Sequence, residues 1–160
     1  MTEANATLQR ILLPLDVSRD SLTAMEIALE LAAALEGRVS GLFIEDVRLL
    51  VAASLPFARE VGSLSGIIKR IGSADIEHRF RALAEKARAT LAERANRGKV
   101  PSSFHVTRGD VTAEILTAAS EADMVVLGKA GWTPGSRRKP GATCLSILAR
   151  SRVPVLVVES

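Results

Sequence analysis

The chain has 160 residues, 48% hydrophobic and 24% charged, with 21 lysines and arginines against 18 aspartates and glutamates for a net charge of +3. This length fits one domain, residues 1–160, and suffices to bury a core; the composition is that of a soluble globular protein. With aromatics at 3% and no tyrosine, a stacking platform for single-stranded nucleic acid is disfavoured, and the small basic excess suits anionic ligands without marking a nucleic-acid surface. One cysteine, Cys144, excludes an internal disulfide and a multi-cysteine metal site, and suggests a reducing compartment. The opening MTEANATLQR lacks the basic and apolar regions of a signal peptide, and every apolar run falls short of the roughly 20 residues of a membrane helix. The expectation is a cytoplasmic protein with no membrane and no nucleic-acid partner.

Taken in chain order, strands and helices alternate. Arg10-Ile11-Leu12-Leu13-Pro14-Leu15-Asp16 is a short apolar run of the kind that forms a strand buried on both faces. Asp20-Ser21 offers helix-capping chemistry, Ala24, Ile27, Ala28, Leu31 and Leu35 follow at helical spacing, and Gly37 is placed to stop that helix. Val39–Ile44 reads as a second strand. Residues 46–73 mix apolar patches with Pro56, Gly62, Gly66 and Gly72, an irregular excursion with one or two helical turns that is a packed connection, a lid or a partner surface. Ala74–Arg97 is strongly helical, with Ile76, Phe80, Leu83, Ala87 and Leu91 on one face and Gly98 at its end. Ser103–Thr107 is a third strand, closed by Gly109. Asp110 is a good cap for a helix through Ile115, Leu116 and Ala119. Met124–Leu127 is a fourth strand, a helix runs near Thr143–Ala149, and Pro154–Val158 is a fifth strand. This alternation predicts an α/β fold, an open five-stranded parallel sheet with helices on both faces, whose ligands bind outside the carboxyl ends of the strands. That edge carries the turns after Asp16, Ile44 and Leu127.

The stretch GKAGWTPGSRRKPGAT, residues 128–143, follows the fourth strand and leads into a helix. Glycine permits unusual backbone conformations and close approach to a ligand, and Gly141 stands just before a helix N-terminus, which favours anions. The stretch is therefore either a phosphate cradle or a surface loop. Its glycines are spaced Gly128, two residues, Gly131, nine residues, Gly141. This resembles the universal stress protein domain, whose nucleotide-binding members carry G-x2-G-x9-G followed by Ser or Thr. ILLPLD, RGDVTAEIL, ADMVVLGKAG and SRVPVLVVE resemble further segments of that domain in the same order, over nearly the whole chain.

The resemblance implies a Rossmann-like fold of the adenine nucleotide alpha hydrolase-like group and an ATP site, with Mg²⁺ as an optional companion. Asp16 would then hold ribose or adenine, with Pro14 flanking the base, Ile44 packing on the adenine and Leu127 lining the same pocket. Gly128 would sit at the ribose, Gly131 and Gly141 would line the phosphates, and Ala142 and Thr143 would offer backbone N–H groups. Ala142 departs from the pattern, because a Ser or Thr usually stands there and supplies a hydroxyl. The spacer WTPGSRRKP also departs, and its Arg137, Arg138 and Lys139 are either phosphate contacts that offset the lost hydroxyl or a solvated cluster.

Asp16 has a structural alternative, as the cap of its own turn. Trp132 is a lid, an interface anchor or an exposed loop residue. His78 and His105 lack neighbours at metal-ligand spacing and read as structural, and Cys144 reads as packing rather than a reactive thiol. Neither a Ser–His–Asp set nor a carboxylate pair stands out, so catalysis is not expected. The resemblance further implies a homodimer, and the apolar Val155–Val158 would be a hazardous edge if left unpaired, so antiparallel pairing with a second copy is expected there. Two readings follow: a cytoplasmic regulator that binds ATP without turnover, or a homodimeric protein-interaction module without nucleotide.

Overall fold

Residues 8–56, 59–61, 68–70, 72–130 and 140–160 are described in a computed structural model. The elements run β1 (Arg10–Pro14), α1 (Arg19–Ala34), β2 (Arg38–Asp46), α2 (Val47–Ala53), β3 (Arg59–Val61), β4 (Ile68–Arg70), α3 (Ser73–Arg97), β5 (Ser102–Gly109), α4 (Val111–Ala119), β6 (Met124–Gly128), α5 (Ala142–Arg150) and β7 (Val155–Val158). The five strands foreseen from the apolar runs form one sheet in the order β5-β2-β1-β6-β7, and every pairing in it is parallel. β1 lies at its centre, which explains why Ile11–Pro14 is an unbroken buried run.

Successive side chains of a strand point to opposite faces, and two cores result. Ile11, Leu13, Val39, Phe43 and Val126 pack with Met25 of α1 and with Phe80 and Leu91 of α3. Leu12, Leu42, Val125 and Leu127 pack with Ile115 of α4 and with Cys144 and Ile147 of α5. Helices thus cover both faces, as expected. Phe43 meets Phe80 edge to face at 6.4 Å, a favourable aromatic geometry. No described helix is long and apolar enough to cross a membrane.

The excursion after β2 is more regular than its sequence suggested. Asp46 caps α2 by accepting the Arg48 N–H at 2.9 Å, and Ala53 of α2 joins the core beside α3. β3 and β4 form a short antiparallel pair with Arg59 opposite Arg70 and Val61 opposite Ile68. Its Gly62 and Gly66 lie outside the described residues.

Helix boundaries bring two corrections. The cap of α1 is Ser18, whose Oγ accepts the Ser21 N–H at 3.2 Å; Asp20 lies inside the first turn, where its carboxylate is released for other work. Gly98 is the C-cap that ends α3, as expected, whereas α1 ends before Gly37, and neither glycine takes the left-handed conformation. Glu36 and Lys99 hold that conformation, each at φ 54°, and the next N–H closes the helix in each case, Gly37 to Ala32 O and Val100 to Ala95 O, both at 2.9 Å. Gly37 is required for another reason: a Cβ there would meet Leu8 O at 3.0 Å and Gln9 O at 3.1 Å. Lys99 is exposed and a left-handed L-residue carries a conformational cost, so Lys99→Gly should raise stability by about 0.5–1 kcal/mol. Urea denaturation checks this.

Candidate functional site

From β1 the chain crosses to β2 on one side, whereas β6 lies on the other. The strand order therefore reverses between β1 and β6, and the crevice outside their carboxyl ends is where open α/β sheets take ligands. Three segments form its lip: the turn after β1, the end of β2, and the connection from β6 to α5.

The turn after β1 is locally built. Asp16 is exposed; its Oδ1 accepts the Ser18 N–H at 3.0 Å, while its own N–H donates to Ser21 Oγ at 3.2 Å. The turn-forming role of Asp16 is thus present, and its second carboxylate oxygen has no protein partner among the described residues. Between them Val17 sits at φ 63°, a left-handed conformation costing a β-branched residue about 1–2 kcal/mol. Such strain is characteristic of ligand-facing turns.

Register places the apolar candidates. Pro14 pairs with Leu42 and Leu12 with Val125, so two steps further Leu127 comes level with Pro14. Asp16 and Ile44 lie one row above, nearer the lip. Pro14 is buried and Ile44 half-buried. Leu127 is buried in the core beneath α4 and α5, so it supports the crevice floor rather than standing open in it.

The glycine-rich connection is described at its two ends. A Cβ on Gly128 would lie 3.0 Å from both Asp20 C and Ser21 N. Gly128 is therefore already required so that β6 can abut the first turn of α1. At Gly141 the nearest atom to an added Cβ, among the described residues, would be Lys129 O at 3.8 Å, and its φ of −64° suits any residue. Gly131 and Trp132, together with Pro134, Gly135 and the Arg137-Arg138-Lys139 cluster, lie outside the described residues.

Three amides at these ends are used by the protein. Lys129 N–H donates to Val158 O at 2.8 Å and Gly141 N–H to Lys129 O at 2.9 Å, while Ala130 N–H donates to Asp20 Oδ2 at 3.0 Å. The first turn of α5 differs. Gly141 precedes it, and among the described residues no side chain caps it, so the leading N–H groups of the helix, from exposed Ala142 and half-buried Thr143, project where the macrodipole is positive.

Charge near this turn is arranged around Lys129 and Asp20. Lys129 Nζ pairs with Glu159 at 2.8 Å. Burial pushes the Asp20 carboxyl up, but hydrogen bonds from Ser160 and Ala130 and the charge of Lys129 outweigh it and hold the group below its ordinary range. Cys144, in the first turn of α5, is buried; burial raises its thiol pKa against the opposing charge of Lys129, which fits packing rather than reactivity. Among the described residues no cluster of three or more His, Cys, Asp or Glu side chains could hold a metal. A shallow groove of about 270 Å³, lined by Leu116, Ala119, Arg150 and Val153 among others, lies between the C-terminal ends of α4 and α5, away from this crevice.

A model of the universal stress protein family matches residues 7–159. The chain belongs to the universal stress protein family. No curated relative matches it. Among solved structures, the universal stress protein UspA from Lactobacillus plantarum superposes with a TM-score of 0.70 at 20% identity, over 96% of this chain and 99% of that one. A universal stress protein solved in complex with cAMP gives 0.62 at 19% identity, over 96% and 98%. The universal stress protein from Archaeoglobus fulgidus in complex with dAMP gives 0.62 at 14% identity, over 96% and 99%. The shared fold is an α/β one, here a five-stranded parallel sheet with helices on both faces.

Within this universal stress protein, the residues named from sequence divide by what surrounds them. Asp16, Ile44, Gly141, Ala142 and Thr143 gather at the lip; Pro14 and Leu127 lie below it, and Gly128 is taken up by α1. Asp20 escaped the sequence reading as anything but a cap. Its partners Ala130 and Ser160 are 110 and 140 residues away, so no local pattern announces them.

Proposed function

We propose that this universal stress protein binds an adenine nucleotide, ATP, and acts in the cytoplasm as a regulator through conformation and partner contacts rather than through turnover. The observation that carries this reading is the N-terminus of α5 at the point where the strand order reverses, which no described side chain caps and where no described atom comes nearer than 3.8 Å to a Cβ added at Gly141. Free N–H groups at a positive dipole end suit phosphate. The nucleoside then lies over Pro14, Asp16, Ile44, Leu127 and Gly128, and the phosphates over Gly131, Gly141, Ala142 and Thr143. Structural neighbours solved with cAMP and dAMP support the adenine class. Mg²⁺, where it accompanies ATP, is held by phosphates and water, a mode this cation favours.

A second reading is a homodimeric protein-interaction module without nucleotide. Two observations favour it: Ala142 supplies no hydroxyl, and the amides of Ala130 and Gly141 already have protein partners. Both readings include a homodimer through β7. That strand is an edge of the sheet, and Leu156 on it is exposed. Open apolar edges invite pairing.

The test is calorimetric titration with ATP, ADP and AMP, with and without Mg²⁺, beside sedimentation of the same samples. Saturable heat with ATP that is lost in Gly141→Val supports the first reading. No heat, and no co-purifying nucleotide, supports the second. A monomer at micromolar concentration overturns the β7 pairing in both.

A further inference from the structure

Three parts of the chain meet at the Asp20 carboxylate. Its Oδ2 accepts the Ala130 N–H at 3.0 Å, where the connection from β6 begins. Its Oδ1 accepts the Ser160 N–H at 3.1 Å and the Ser160 hydroxyl at 2.6 Å, just past the end of β7. Alongside runs a second tie, Lys129 N–H to Val158 O at 2.8 Å and Lys129 Nζ to Glu159 at 2.8 Å. The far end of the connection is held to its near end by Gly141 N–H on Lys129 O at 2.9 Å. The bonds thus run without a gap from the outer strand of the sheet to the residue that precedes α5.

We propose that Asp20 is a positioning residue that clasps the glycine-rich connection to the end of β7, so that the ligand lip and the free edge of the sheet move as one unit. A helix-capping role does not account for its geometry, because Ser18 already caps α1 and both Asp20 oxygens point away to distant segments. The residue type follows from the partners: all three are donors, so both oxygens must accept. An asparagine of the same size would turn an NH₂ group on one arm and lose it. A ligand that shifts Lys129, Ala130 and Gly141 then tugs β7, and pairing along β7 steadies the lip. Naming the ligand as a nucleotide rests on the reading above; the clasp itself does not.

The experiment compares the full chain with Ser160→Pro and Asp20→Asn. Ser160→Pro removes the N–H and the hydroxyl of the tail arm while leaving the connection untouched. Amide exchange followed by NMR without ligand is expected to quicken about tenfold at Ala130 and Gly141 in both variants, the scale of one lost charge-assisted hydrogen bond. Val39 and Val126 in the core serve as internal controls and keep their protection. MgATP binding measured on the same samples weakens several-fold in Ser160→Pro, although Ser160 is not among the residues assigned to the nucleotide. Exchange that quickens only at residues 158–160 in Ser160→Pro overturns the clasp. Absence of MgATP binding to the unmodified chain refutes the nucleotide reading instead, and the exchange comparison still decides the clasp.

Discussion

Gly128→Ala lowers stability by about 1–3 kcal/mol, whereas Gly141→Ala, at the N-cap of α5, lowers it by less than about 1 kcal/mol. The two glycines belong to one spacing in the sequence, yet their surroundings are opposite. A methyl group on residue 128 meets Asp20 C and Ser21 N at 3.0 Å. Those are backbone atoms of the first turn of α1, so relief requires α1 to move off β6 and disturbs the Asp20 contacts. At residue 141 the nearest atom among the described residues is 3.8 Å away and the backbone is ordinary, so a methyl group meets no described atom closely, and its effect is the small one of alanine for glycine at a helix N-cap. If the position beside residue 141 is reserved for phosphate, Gly141→Ala separates folding from binding: its urea midpoint falls only slightly while its ATP titration weakens by about tenfold, one good contact's worth. Equal destabilisation by both substitutions would show that Gly141 is a packing residue and remove the argument for a ligand beside it at the lip.

The sequence made the sheet readable because its central strands are buried on both faces. An uninterrupted run such as Ile11–Pro14 or Met124–Leu127 leaves little alternative when helical periodicities lie between. Asp110 was legible as a cap because its acceptor role is local, with Ala113 N–H at 2.9 Å. The features that escaped are those in which residue type and conformation part company. Glu36 and Lys99 take left-handed backbone next to glycines that do not, because the hydrogen bonds that close α1 and α3 fix the position of the reversal, not the nearest permissive residue. The candidate site was legible to the same degree. Glycine spacing pointed to the connection after β6, but the reason Gly128 must be glycine is a contact with α1, and the clasp at Asp20 joins segments that only the fold brings together. Residues 46–73 resisted because α2 buries chiefly Ala53, which leaves exposed Leu49 and Val51 to mimic a core pattern.

Ile147→Ala is expected to cost about 2–5 kcal/mol, the range for emptying a fully buried isoleucine site. Ile147 has no solvent exposure and packs with Leu12, Ile115, Val125 and Leu127. The effect reaches the lip because α5 is short. At nine residues it is below the length at which an isolated helix holds in water, so packing must keep it formed. Its buried side chains are Cys144 and Ile147. Removing one therefore loosens the whole helix, including the leading N–H groups of Ala142 and Thr143, and ATP binding should weaken even at temperatures where the variant remains folded. Leu148→Ala is the matched control: Leu148 is next in sequence but 46% exposed, so its loss should change stability by no more than about 0.5 kcal/mol and leave binding alone. Urea denaturation and nucleotide titration of the two variants measure both effects. If Ile147→Ala is as mild as Leu148→Ala, α5 is not held by that contact, and the rigidity required of a helix-terminal phosphate site must come from elsewhere.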